Sequence, residues 1–136
     1  MAGGKKKAAA KTRQPLAWLH GKIATPPFTA AARKEAGDLL RLLQEGERLA
    51  MPQAEPLPIV GPRCGALRIR DEGHNWRIMY RVDSDAVLVL EVYAKKTRTI
   101  PNEVIHRCKT RLKHYDEIAR QATEAAAAKT SRKRKR

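Results

Sequence analysis

Apolar positions recur along the chain with two periods, and the order in which the periods change predicts the fold. Phe28, Ala32, Ala36, Leu39, Leu40 and Leu43 recur at helical spacing. Thr25-Pro26-Pro27 precedes them as a start signal, because proline is tolerated in a first turn, where its missing N–H has no partner anyway. Gly46 follows as a C-cap. Ahead of this helix, Leu16–Ile23 alternates weakly and predicts a first strand that contains Trp18. Behind it, Pro52, Pro56, Pro58 and Pro62 make residues 51–63 an extended loop.

The period then drops to two. In Gly65–Asp71, Leu67 and Ile69 share one face, while Arg68 and Arg70 share the other. A turn at Glu72-Gly73-His74-Asn75 leads to Trp76–Asp83. There Trp76, Ile78, Tyr80 and Val82 oppose Arg77, Met79 and Arg81. Ser84-Asp85 is a tight turn into Ala86–Ala94, which is apolar enough to be the central strand. Connections this short imply antiparallel hairpins. From Pro101 onward, Val104, Cys108, Leu112, Tyr115 and Ala119 form the stripe of a final helix, with Ile105 and Ile118 beside it. The order β-α-β-β-β-α predicts an α+β domain, a small antiparallel sheet with helices packed on one face.

Composition narrows the class. The 136 residues suit one domain, with 42% apolar residues for a core and only 4% aromatic. The formal net charge is +15, carried mostly by the ends. Residues 1–14 hold Lys5, Lys6, Lys7, Lys11 and Arg13 without an acid and read as a disordered basic arm. Residues 129–136 hold Lys129, Arg132, Lys133, Arg134, Lys135 and Arg136, again without an acid. Residues 15–122 are thus the domain, and 123–136 an Ala-rich helix extension with a loose basic tail. Cys64 and Cys108 cannot make a disulfide scaffold. The four histidines lack metal-ligand spacing, so neither metal nor cofactor is expected. No apolar run reaches the ~18 residues of a membrane span, and Pro15–Thr25 is a poor leader core. A reduced, cytoplasmic protein with no membrane role is expected.

The chemistry lies in the cations of the strands. A sheet covered on one side leaves Arg68, Arg70, Arg77 and Arg81 on its free face, and the last strand runs out into Lys95-Lys96-Thr97-Arg98. Like charges directly across a sheet destabilise it. Such a face therefore has a use for an anion, and arginine's planar fork matches phosphate oxygens in pairs. The same alternation also describes a solvated face paired with Asp71, Glu72, Asp83, Asp85 and Glu91. Trp18, Trp76, Tyr80 and Tyr115 read as packing residues, and the cysteines as small apolar fillers. His74, in a turn, is kept as a candidate, whereas His20, His106 and His114 have no spacing that implies a site. There is no Gly-rich phosphate loop, nucleophile elbow or paired-carboxylate motif. An enzyme of this kind works mainly with cations. That suits RNA cleavage, in which the substrate's own 2′-hydroxyl attacks and the protein aligns, activates and neutralises.

Leu67-Arg68-Ile69-Arg70, Trp76-Arg77-Ile78-Met79-Tyr80, the apolar strand Val87–Tyr93 and Lys95-Lys96-Thr97 with Pro101 resemble, in this order, the RelE/HigB-like toxins of type II toxin–antitoxin modules, specifically their phage-derived branch. The Leu39-Leu40-Arg41-Leu42-Leu43 helix with Gly46 fits as well, and the resemblance covers residues 15–120. It implies a RelE-like fold and an mRNA endonuclease (mRNA interferase) acting on messages in the ribosomal A site. It also implies a cognate antitoxin, often a helix-turn-helix protein. By position, Arg77 matches the arginine that contacts the scissile phosphate, Arg68 and Arg70 the basic strand, and Lys95 and Lys96 a further cation. The expected catalytic set is Arg70, Arg77, Lys95, Lys96 and His74, with Arg68, Arg81 and Arg98 binding RNA. Some relatives place a tyrosine or histidine soon after the last strand. Here Thr97, Thr99 and Pro101 stand there, and His74 is the nearest titratable candidate. The alternatives are a non-catalytic protein of the same fold that binds nucleic acid or blocks another protein, and a basic ribosome-associated protein that binds through its tails.

Overall fold

The computed structural model describes residues 13–19 and 28–134, with side chains as far as residue 129. The expectations for residues 1–12, the far end of the first strand, His20 and Thr25-Pro26-Pro27 fall outside the described residues.

Among the described residues seven elements follow one another: β1 (Leu16–Trp18), α1 (Ala30–Gln44), β2 (Ala54–Pro56), β3 (Cys64–Asp71), β4 (His74–Val82), β5 (Val87–Ala94) and α2 (Asn102–Arg134). The strands form one sheet in the order β1-β5-β4-β3-β2. The domain is α+β, as expected, with three corrections. First, β1 runs parallel to β5, so the sheet is mixed. Second, the proline-rich loop contributes a three-residue edge strand, β2, paired antiparallel with β3. Its Pro56 stands at the sheet edge, where a missing N–H is tolerated. Third, the helices lie on opposite faces. The buried stripe of α1 (Ala32, Ala36, Leu39, Leu40, Leu43) packs on Leu67, Ile69, Trp76, Ile78 and Val89. Val104, Cys108 and Leu112 of α2 pack on Ala66, Met79, Leu88 and Leu90.

The reason lies in β5. Its valines Val87 and Val89 face α1, and its leucines Leu88 and Leu90 face α2. A strand apolar on both sides needs cover on both sides. The strand carries a bulge: Met79 pairs with Glu91 while Tyr80 pairs with Val89, so Leu90 is surplus to the register. Past the bulge, Leu90 and Glu91 both look toward α2, and Val92 returns to the α1 side.

The β3–β4 hairpin turns on Glu72 (φ 39°) and Gly73 (φ 86°), a two-residue turn with both central residues in the left-handed region. The turn is shorter than expected, so His74 already begins β4. Thr29 caps α1, accepting from the Ala32 amide at 3.2 Å. Its own amide and hydroxyl donate to the buried Asp71 carboxylate at 2.9 and 2.7 Å. These bonds hold the Asp71 carboxyl below the usual carboxylate range. Thr29 thus joins the helix start to the end of β3. Thr29→Ala is expected to cost about 1–2 kcal/mol, measured as a shift in the urea midpoint at unchanged m-value.

The basic arm's last two residues, Arg13 and Gln14, are held. Arg13 pairs with Glu45 at 3.2 Å, and the Gln14 amide donates to the Gln44 carbonyl at 2.9 Å. At the other end, α2 continues as one helix through the alanine run to Arg134. The backbone there is helical where a loose tail was expected, since alanine propagates a helix already nucleated by the domain.

Candidate active site on the sheet

The strand register sets the site. Arg68 of β3 lies directly opposite Arg77 of β4, and Arg77 directly opposite Tyr93 of β5. One step along, Arg70 faces Asn75, and the Lys95 amide donates to the Asn75 carbonyl at 2.7 Å, which carries the ladder past β5. Side chains two residues apart share a face. Two adjacent rows, Arg68–Arg77–Tyr93 and Arg70–Asn75–Lys95, therefore lie on the α2 side of the sheet, where Tyr93 packs against the core beneath α2. A cavity of about 340 Å³ opens among Gln53, Arg68, Arg70, Asn75 and Arg77, with Glu35 on its rim.

Arg77 is the anchor. It is only 7% exposed, yet none of the described carboxylates pairs with it. One Nη donates to the Trp76 carbonyl at 3.3 Å, and Nε has no partner. Burial, and then the neighbouring Arg68, hold its pKa below the usual arginine value. It nevertheless stays charged at any physiological pH. Across the ladder, the Tyr93 hydroxyl is also buried without a partner. Burial pushes this phenol up, and Arg77 pulls it back only in part. Buried polar groups are satisfied in the great majority of cases. Arg77 and Tyr93 thus each leave one donor atom without a protein partner, while the Glu55 carboxylate acts on both groups electrostatically. Arg68, half-buried, touches the Met51 sulfur at 3.5 Å, and Arg70 is exposed.

The other predicted cations distribute differently. Lys96 and Arg98 are exposed in the loop after β5, beside the rows but outside the ladder. Arg81 does not join an open face. It is buried under α2, held by Asp83 at 2.7 and 2.8 Å and by Asp116 at 2.7 and 3.1 Å. Its charge is spent on fastening α2 to β4, because the arginine face is half covered by a helix that the one-sided arrangement did not include. His74 points to the α1 side, where its ring stacks on Trp76 (centroids 5.7 Å apart, planes at 22°). The chain thus brings together Arg68, Arg70, Arg77 and Lys95, and leaves His74 on the opposite face.

Tyr93 was not singled out in the sequence, being read as the end of an apolar strand. The signal was present: Glu91, Tyr93 and Lys95 put polar groups at every second position of a strand otherwise apolar. The Cys108 thiol, fully buried, is pushed up to about 12 by burial and is an inert filler. Among the described residues no cluster of three or more His, Cys, Asp or Glu could hold a metal ion.

Comparison with known proteins adds the decisive observation. The profile of the phage-derived Gp49-like proteins (DUF891) matches residues 27–113, well over half of the chain. The chain belongs to the Gp49-like family. That family lies within the RelE/HigB-like toxins. The matched span runs from just before α1 into α2, and it contains both rows of the site. Searches of curated proteins and of solved structures returned no match. No helix among the described residues is long and apolar enough to cross a membrane.

Proposed function

We propose that this Gp49-like protein is the toxin of a type II toxin–antitoxin pair and cuts mRNA, on the ribosome, by attack of the message's own 2′-hydroxyl. The observation that carries this reading is the buried Arg77 guanidinium, whose Nε lacks a partner, beside the unsatisfied Tyr93 hydroxyl. In the proposed reaction the 2′-oxygen bonds to the adjacent phosphorus, and the bond to the 5′-oxygen breaks. A 2′,3′-cyclic phosphate and a free 5′-hydroxyl result. Arg77 and Arg68 bind the non-bridging oxygens and offset the charge added in the pentacovalent state. The 2′-hydroxyl proton passes to solvent water, and Tyr93, a neutral phenol because burial raises its pKa, donates its proton to the leaving 5′-oxygen and is reprotonated from water afterwards. Arg70 and Lys95, one ladder step away, hold the flanking phosphate. Lys96 and Arg98 guide the strand toward the rows. His74 has no part in the chemistry. A cognate antitoxin, of helix-turn-helix type, would cover this face in the cytoplasm.

The test is cleavage of a message in a purified translation system, mapped by primer extension. Discrete cuts with 2′,3′-cyclic phosphate ends are expected, and a 2′-deoxy nucleotide at the cut position should abolish them. Tyr93→Phe is expected to slow cleavage by roughly 10²-fold or more with binding retained. Cuts that survive the 2′-deoxy substitution would exclude the mechanism.

A further inference from the structure

β3 has a short stretch of edge that no strand covers. The Cys64 carbonyl accepts from the Leu57 amide at 3.0 Å, and the Arg68 amide donates to the Gln53 carbonyl at 2.9 Å. Every second residue of β3 from Cys64 onward thus turns its backbone groups toward β2. The register with β4 is unbroken from Cys64 to Asp71, so Arg70 keeps this parity. Asn75, opposite Arg70, agrees: its carbonyl accepts from the Lys95 amide on the far side of β4. β2 pairs only as far as Leu67, and the Gln53 carbonyl extends the ladder by one bond, to Arg68. The N–H and C=O of Arg70 therefore face outward, with no strand among the described residues to meet them. This edge borders the cavity of about 340 Å³, between Pro52 and Gln53 on one side and Glu35 of α1 on the other.

The lining suits a base better than a second phosphate. Glu35 is exposed, and among the described residues its carboxylate has no ion-pair or hydrogen-bond partner. No cation stands three or four residues away on α1 to use it, since those positions hold Ala31, Ala32, Asp38 and Leu39. A carboxylate repels phosphate but is a strong hydrogen-bond acceptor. The side-chain amides of Gln53 and Asn75 are equally uncommitted among the described residues, and Pro52 adds an apolar wall. The volume is at the low end of small-ligand pockets, ~300–1,000 Å³, which suits one nucleotide unit and not a duplex. A peptide adding to the edge would need a longer run, because β3 ends at Asp71, one residue on. A base needs only one donor–acceptor pair. Guanine alone presents two adjacent donors, N1–H and N2–H, with the O6 acceptor beside them. Adenine, cytosine and uracil each offer a carboxylate a single donor group on that edge.

We propose that this cavity is a base pocket selecting guanine, with Glu35 accepting from N1–H and N2–H and the Arg70 amide donating to O6. The assignment rests on the reading that Arg77 and Arg68 receive the adjoining phosphate. The test titrates the isotope-labelled full chain with the four nucleoside 3′,5′-bisphosphates, which present one base, phosphates on both sides and no bond to cut. Binding is followed through the amide resonances. The guanosine form should bind about tenfold or more tightly than the other three, the discrimination of one good bidentate contact. Glu35→Gln, a change at an exposed side chain, should bring the four within about threefold and leave the adenosine form within about twofold of its parental affinity. Arg77→Met should weaken all four alike and keep their order. The Arg70 amide should shift on guanosine binding. In the free protein it should exchange with solvent faster than the amides of Ile69 and Asp71, which face β4 opposite Trp76 and His74. Equal affinities in the parent, a guanine preference that survives Glu35→Gln, or an Arg70 amide as protected as its neighbours would overturn the pocket. Affinities untouched by Arg77→Met, or no binding of any of the four, would overturn the phosphate seat and the pocket with it. Guanine-selective binding by a chain that cuts no message would strike the scission reading alone and support the pocket.

Discussion

Replacing Arg77 with methionine is expected to lower RNA cleavage by about 10²–10³-fold, the range for removing one preorganised donor from a developing oxyanion. The same change is expected to leave the domain as stable as the parent, or more stable by about 1 kcal/mol. Two observations fix the second half of that expectation. Arg77 is buried with an unsatisfied Nε, a state that costs free energy in the unliganded protein. It also stands directly across the ladder from Arg68, so its removal relieves a like-charge pair. Methionine keeps most of the aliphatic stem that packs beside Tyr93, which alanine would not. An ordinary structural arginine behaves in the opposite way, losing stability and activity together. Cleavage and urea denaturation measured on the same preparation separate the two cases. A variant that is markedly destabilised, or that still cuts at the parental rate, removes Arg77 from the proposed centre.

Glu91→Ala is expected to be among the most destabilising single changes in the domain, at about 2–3 kcal/mol. Glu91 is 4% exposed and receives Arg107 at 2.7 Å, together with Arg111. Removing one partner of a buried ion pair typically costs ~3–5 kcal/mol. The lower figure applies here because Arg107 is half in water and can rehydrate. Burial alone would push the Glu91 carboxyl up. The hydrogen bonds from Arg107 and Arg111 outweigh it and hold the carboxyl below the ordinary glutamate value. A carboxyl lowered in the folded state stabilises the protein above its unfolded pKa of about 4.3. That contribution fades as the pH falls through the lower, folded value. The stability gap between the parent and Glu91→Gln should therefore be widest near neutrality and close on acidification, read from urea midpoints between pH 7 and pH 3. A gap independent of pH would show that the carboxylate charge is not what fastens α2 to β5.

The sequence pattern revealed the fold class, both helices and the three long strands, because each has a clean period. Leu67/Ile69 against Arg68/Arg70 assigns faces without coordinates. Two things were not legible. The number of residues on each face of Val87–Ala94 gives no sign of which helix covers which face, and a strand apolar throughout hides its own bulge. Hence the pattern alone puts both helices on one side and Arg81 in the open, although Asp116, thirty-five residues on, holds it. The candidate site was legible where its residues alternate regularly, as with Arg68, Arg70 and Arg77. Tyr93 escapes the pattern because its facing depends on Leu90, and His74 looks like a turn residue because the β3–β4 turn is two residues shorter than the pattern suggests.

That surplus leucine has a consequence for the far end of its strand. Were β5 to run evenly through Leu90, the parity of everything after it would invert. The phenol at position 93 and the carboxylate at position 91 would be turned into the greasy layer beneath α1, and Val92 would emerge beside the guanidinium of Arg77. A single uncounted residue, itself without polar atoms on its side chain, thus decides whether the sheet presents polar groups there or merely another oily surface.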